Sequence, residues 1–149
     1  MKSMGMLMVI AGILLSACLQ QESPLTTVTT AESSPERRFL MESLQGLPRA
    51  GDELEPGQSY RYEFYIHCGM RYLRPVPDNR NWETTNPPFE TGRYPDSWRP
   101  AFSNPRESIS PTLLGTVELV TDDVLEFRVP GFDVLVVYTP TTAQIPECA

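Results

Sequence analysis

His67 and Cys68 stand side by side, and thiolate chemistry is what they would do if the imidazole could take the thiol proton. They end an alternating run, Tyr60 to Cys68, in which neighbouring side chains point to opposite faces of a strand, so His67 is poorly placed to activate Cys68. His67 is the only histidine, and the chain has no Gly-x-Ser-x-Gly elbow. A triad would need a serine and an acid from elsewhere. Zinc asks for several His or Cys ligands. Asp122, Asp123 and Asp133 lack the spacing of a calcium loop and read as turn formers. Nineteen acidic residues offer many carboxylate pairs for glycoside chemistry, whose outcome depends on a separation that sequence does not carry. No catalytic residue, metal ligand or cofactor is assigned. The chain reads as non-enzymatic, with a hydrolase using an unrecognised site as an alternative.

The residues best suited to recognition are Trp82, Arg93, Tyr94, Trp98 and Arg99. Sugars stack on displayed aromatic faces, and arginine over an aromatic ring is favourable when partly desolvated. Binding of a carbohydrate or cell-wall polymer through Trp82, Tyr94 and Trp98 is thus one reading. The other makes Trp82 and Trp98 the internal packing of their own segment, with arginines stacked over them and reaching outward.

The N-terminus carries the most specific signal. The terminal amine and Lys2 precede an almost wholly apolar run, Met4 to Leu15, and small residues lead to Cys18, which is the layout of a secretory leader. The run is roughly a dozen residues, whereas a membrane-spanning helix needs roughly 20. Leu15-Ser16-Ala17-Cys18 resembles the lipobox of bacterial lipoproteins. The resemblance implies diacylglyceryl transfer to the Cys18 thiol, cleavage before it, and often acylation of the freed amine by palmitate-type chains. Two or three such chains anchor stably where one is marginal. Leu19, rather than Asp, follows the lipidated position, which in a two-membrane host implies the outer membrane.

With Cys18 assigned to lipid, Cys68 and Cys148 are left as a pair with a single connectivity, and export makes a disulfide plausible chemistry. The alternative is a reactive thiol at Cys68. Lys2 is the only lysine and would leave with the leader, so Schiff-base, pyridoxal and Walker-type lysine chemistry are excluded from the mature chain. The net charge is −7, which argues against nucleic acid or anionic lipid as a bulk-charge partner.

Three regions follow: residues 1–17 as signal peptide, 18–34 as a lipidated tether, and 35–149 as one β-rich extracytoplasmic domain. The tether, rich in Gln, Glu, Ser, Thr and Pro, holds too little apolar surface to order itself. Ser34-Pro35-Glu36 reads as a helix start, with Phe39, Leu40 and Leu44 as its buried stripe and Gly46 as its stop. Tyr60 to Cys68 is the clearest strand, with Tyr60, Tyr62, Phe64, Ile66 and Cys68 on one face; Met70 to Arg74 is a short return strand. Three more strands are expected at Leu113–Val120, Val124–Val129 and Val134–Tyr138. They are separated by turns at Thr121-Asp122-Asp123 and Pro130-Gly131-Phe132-Asp133. The last is apolar on both faces, which suits a central strand. The fold expected is mainly β, a small antiparallel sandwich or partial barrel. Between Arg74 and Pro111 lies a long proline- and aromatic-rich excursion, since proline-dense sequence cannot sit inside a sheet.

Ile66-His67-Cys68-Gly69-Met70-Arg71-Tyr72-Leu73, then Asn81-Trp82, Pro95-Asp96-Ser97-Trp98 and Gly115-Thr116-Val117, resemble small uncharacterised secreted proteins and lipoproteins of high-GC Gram-positive bacteria. That resemblance implies no activity. The expectation is a membrane-anchored module of the cell envelope. Its sheet serves as scaffold, and the excursion contacts an envelope protein or glycan.

Overall fold

The computed structural model describes residues 34–74, 77–90, 94–106 and 111–147. Cys18, Arg93, Cys148, the leader and nearly all of the tether lie outside the described residues.

Helix α1 spans Pro35–Leu44. The Ser34 Oγ accepts from the Arg37 N–H at 3.2 Å, Pro35 supplies a helical φ in the first turn, and Glu36 lies at the positive end of the dipole. Gly46, at φ +80°, takes the left-handed backbone that ends many helices. Leu40 and Leu44 are buried, whereas Phe39 is 53% exposed. The stripe is therefore narrower than expected, because only the i, i+4 pair faces the sheet. Phe39 lies instead alongside Gly131, at the turn leading into the last strand.

Strand β1 (Ser59–Tyr65) buries Tyr60, Tyr62 and Phe64 as the alternation requires. It stops three residues earlier than expected. Gly69 donates to the Ile66 carbonyl at 3.0 Å and has φ +83°, so His67 and Cys68 sit in a turn rather than on opposite faces of a strand. Strands β2 (Trp82–Glu83), β3 (Thr112–Thr121), β4 (Val124–Arg128) and β5 (Leu135–Pro140) complete one five-stranded antiparallel sheet in the order β1-β3-β4-β5-β2. Gly115 in the interior of β3 pairs with Tyr62. A Cβ there would come within 2.7 Å of the Phe127 ring. The missing side chain lets Phe127 pack edge-on against Phe64, with ring centroids 5.1 Å apart.

The sheet rolls on itself instead of stacking as a sandwich. The Tyr65 N–H donates to the Arg74 carbonyl at 2.9 Å, the Leu73 N–H to Trp82 at 3.3 Å and the Thr84 N–H to Arg71 at 2.9 Å. Residues 71–74 thus bridge the end of β1 to β2, which makes the expected return strand a link that closes a partial barrel. Inside it the Tyr138 hydroxyl donates to the Met70 carbonyl at 2.6 Å; burial pushes the Tyr138 and Tyr62 hydroxyls well above the ordinary tyrosine range.

β5 departs from expectation. Val136 and Tyr138 face the core, but Leu135 is 52% and Val137 46% exposed, because they alternate onto the opposite, outer face of the sheet. The strand is flanked by β4 and β2, as expected of a central strand, but only one of its two apolar faces is buried. The excursion contains β2 and a 3-10 helix, Asp96–Ala101. Arg37 holds that helix against α1, donating to the Pro100 carbonyl at 2.7 Å and the Phe102 carbonyl at 2.6 Å.

Candidate functional site

The two tryptophans expected to recognise a ligand are not displayed. Trp82 is completely buried. Its Nε1 donates to the Pro77 carbonyl at 3.2 Å, and the Arg80 guanidinium lies 4.6 Å from the ring centroid. Arg80 in turn is held by the Asp78 carboxylate at 2.7 Å through Nε and by the Asp122 carbonyl at 2.5 Å. Trp98 is 7% exposed and meets Phe89 edge-on at 5.9 Å. Tyr94 is half-buried and stands at 90° to Phe102, 4.7 Å away. Arg99 makes a long contact to Asp96 at 3.4 Å. Trp82 and Trp98 are therefore packed internally, as in the second of the two sequence readings, and do not display stacking faces, while Tyr94 is half-buried and the Arg99 side chain is 39% exposed. The excursion is short of aliphatic residues, so its aromatics supply the apolar area that closes the open side of the rolled sheet.

His67 is exposed, with its ring tilted 38° to Tyr65 at 6.0 Å. Cys68 is half-buried and lines a cleft of about 200 Å³ together with Tyr65, Arg71, Tyr72, Arg74 and Glu147. The C-terminal segment forms one wall. The Thr141 N–H donates to Asn81 at 2.9 Å, its hydroxyl to Glu83 at 3.1 Å, and Arg74 donates to the Pro146 carbonyl. Glu147, the residue before Cys148, thus shares a cleft with Cys68.

Glu83 organises this corner. Its Oε1 accepts from Arg71 Nε at 2.9 Å and from Nη2 at 2.7 Å, and these hydrogen bonds hold its carboxyl below the ordinary glutamate value of 4.5. A carboxyl whose folded pKa is depressed contributes stability that is complete above its unfolded value and lost as pH falls through the folded one. Glu83→Gln is therefore expected to melt below wild type near neutral pH. The gap should narrow progressively below about pH 4.5, as followed by thermal melts across that range. A gap that stays constant with pH would assign the loss to geometry rather than charge.

Asp122 and Asp123 occupy the β3–β4 turn, where Thr121 Oγ1 accepts the Asp123 N–H at 3.4 Å. The clustering at Glu83 and the wall made by Pro146 and Glu147 have no counterpart in the local sequence pattern. A second groove, beside Arg49 and Arg61, was equally hidden, because residues 48–50 carry no strand signal and yet run along β1. Comparison with protein families, curated proteins and solved structures finds no match. Among the described residues, no helix is long and apolar enough to cross a membrane.

Proposed function

We propose that this protein is a lipid-anchored extracytoplasmic lipoprotein whose β domain is a non-enzymatic binding module of the cell envelope. The observation that carries the reading is Cys18, at the exit of the apolar run and preceded by Leu15-Ser16-Ala17. The polar stretch after it ends at Ser34, the cap of α1, so a tether of residues 18–34 leads directly to the domain. Contact with an envelope partner falls to the outward polar face of the excursion and to the grooves beside β1, since the tryptophans are engaged internally. A disulfide between Cys68 and Cys148 belongs to the same proposal; it is supported by Cys68 and Glu147 lining one cleft.

Mass spectrometry of the protein purified from its native host tests the anchor. The expected result is a mature N-terminus at Cys18 bearing a diacylglyceryl thioether. Cleavage elsewhere, or an unmodified Cys18, overturns the proposal.

A further inference from the structure

We infer that the groove between Arg49 and Arg61 is a binding site for a compact oxyanion, a carboxylate or phosphate group. This rests on the binding-module reading, whose ligand class it names, and is independent of lipidation.

The inference comes from a contrast among the arginines. Arg37 donates to two carbonyls at 2.7 and 2.6 Å, Arg71 donates to Glu83 at 2.9 and 2.7 Å, and Arg128 to Glu126 at 3.1 and 2.6 Å. These are bonds of charge-assisted length. Arg49 and Arg61 differ. The Arg61 N–H donates to Pro48 at 2.7 Å and the Ala50 N–H to Arg61 at 2.9 Å, which lays residues 48–50 parallel to β1 and sets Arg49 opposite Arg61. Like charges directly opposite one another in a sheet are destabilising. Glu63, two residues along the same face, is shared by both, each through Nη2 to the same Oε1 at 3.5 Å. That distance exceeds a strong ionic hydrogen bond, so one carboxylate oxygen answers two guanidiniums weakly. The Arg61 Nε is buried and has no hydrogen-bond partner among the described residues. An unmet buried donor is costly.

The two guanidiniums open on a groove of about 320 Å³ walled by Ala50, Gly51, Asp52, Glu63 and Pro77, a size suited to a small ligand. Asp52 and Glu63 stand on its rim. No ion pair joins Asp52 to either arginine among the described residues. A planar carboxylate or a phosphate placed between the arginines would take two parallel N–H donors, for which guanidinium geometry is suited and ammonium is not. It would also relieve the repulsion between them. Arg37, Arg71, Arg80 and Arg128 have close acceptors within the fold; the facing pair Arg49 and Arg61 is arranged to take an acceptor from outside.

Isothermal titration calorimetry of the full-length chain in detergent, with inorganic phosphate and with succinate as probes, tests this. Sodium chloride holds the ionic strength constant. Saturable binding of at least one probe in the millimolar range is expected, and the preferred probe identifies the ligand's group. Arg49→Gln, which removes a side chain that is 78% exposed, should weaken binding by about tenfold or more. Arg61→Gln should do the same, and Arg128→Gln should not. In buffer without phosphate or carboxylate, Arg49→Gln should melt no lower than wild type, because it removes the facing charge. Absence of saturable heat from both probes, unchanged binding in Arg49→Gln, or a lower melting point for that variant without phosphate or carboxylate overturns the inference. A chain that lacks lipid but binds either probe leaves it standing and removes only the anchor.

Discussion

With the proposed Cys68–Cys148 disulfide formed, Cys68→Ser is expected to lower the unfolding free energy of the protein by about 4–5 kcal/mol in the chain-entropy account of a long loop. The magnitude follows from the distance along the chain between Cys68 and Cys148, since closing a long loop removes more freedom from the unfolded ensemble than closing a short one. For a domain of this size that is a large fraction of total stability. The expected pairing would also fix the segment after Thr141, which otherwise holds to the body through Asn81, Glu83 and the Arg74–Pro146 contact. Guanidinium unfolding of wild type and variant under non-reducing conditions measures the difference. Thiol titration should find Cys148 newly reactive in the variant. Equal unfolding midpoints, with no change in reactive thiols, would remove the cross-link from the account.

Trp82→Ala is expected to cost about 3–5 kcal/mol, the range for deleting a large buried aromatic. Trp82 has no solvent exposure, closes one side of the rolled sheet, and sits in a strand of two residues paired to Thr139 and Pro140. Truncation leaves a cavity, strands the Pro77 carbonyl and uncovers the apolar stem of Arg80. Chemical denaturation measures the loss, and native-state emission loses the blue-shifted contribution of a fully buried indole. The carbohydrate-binding reading makes the opposite forecast. There, Trp82→Ala would leave stability nearly unchanged and abolish binding of glycan fragments. A variant as stable as wild type would restore Trp82 to the surface.

The elements that were legible in the sequence are those whose signal is local. Tyr60, Tyr62 and Phe64 alternate with polar residues, and a period of two permits one strand with one buried face. The Ser34 cap and the turns at residues 121–123 and 130–133 were readable because capping and turn formation involve residues a few positions apart. What misled was pattern without partner. Leu135 and Val137 read as buried because they are apolar, yet they alternate onto the outer face of the sheet and stay about half exposed. Cys68 read as a continuation of β1, but the positive φ of Gly69 turns the chain before it. The aromatics of the excursion were equally compatible with a displayed platform and an internal plug.

The sequence alone, then, determined a β-rich domain with a capped helix and the order and approximate limits of its main strands. The tertiary structure alone decided that the tryptophans are packing rather than recognition, that Glu83 ties Arg71 to the C-terminal segment, and that Arg49 faces Arg61 across a groove. The division has a physical cause. Periodicity, caps and turns are set by neighbours in the chain. Burial and charge pairing are set by whichever distant segment folds over a residue, and for Trp82, Glu83 and Arg61 that segment is not its neighbour in sequence.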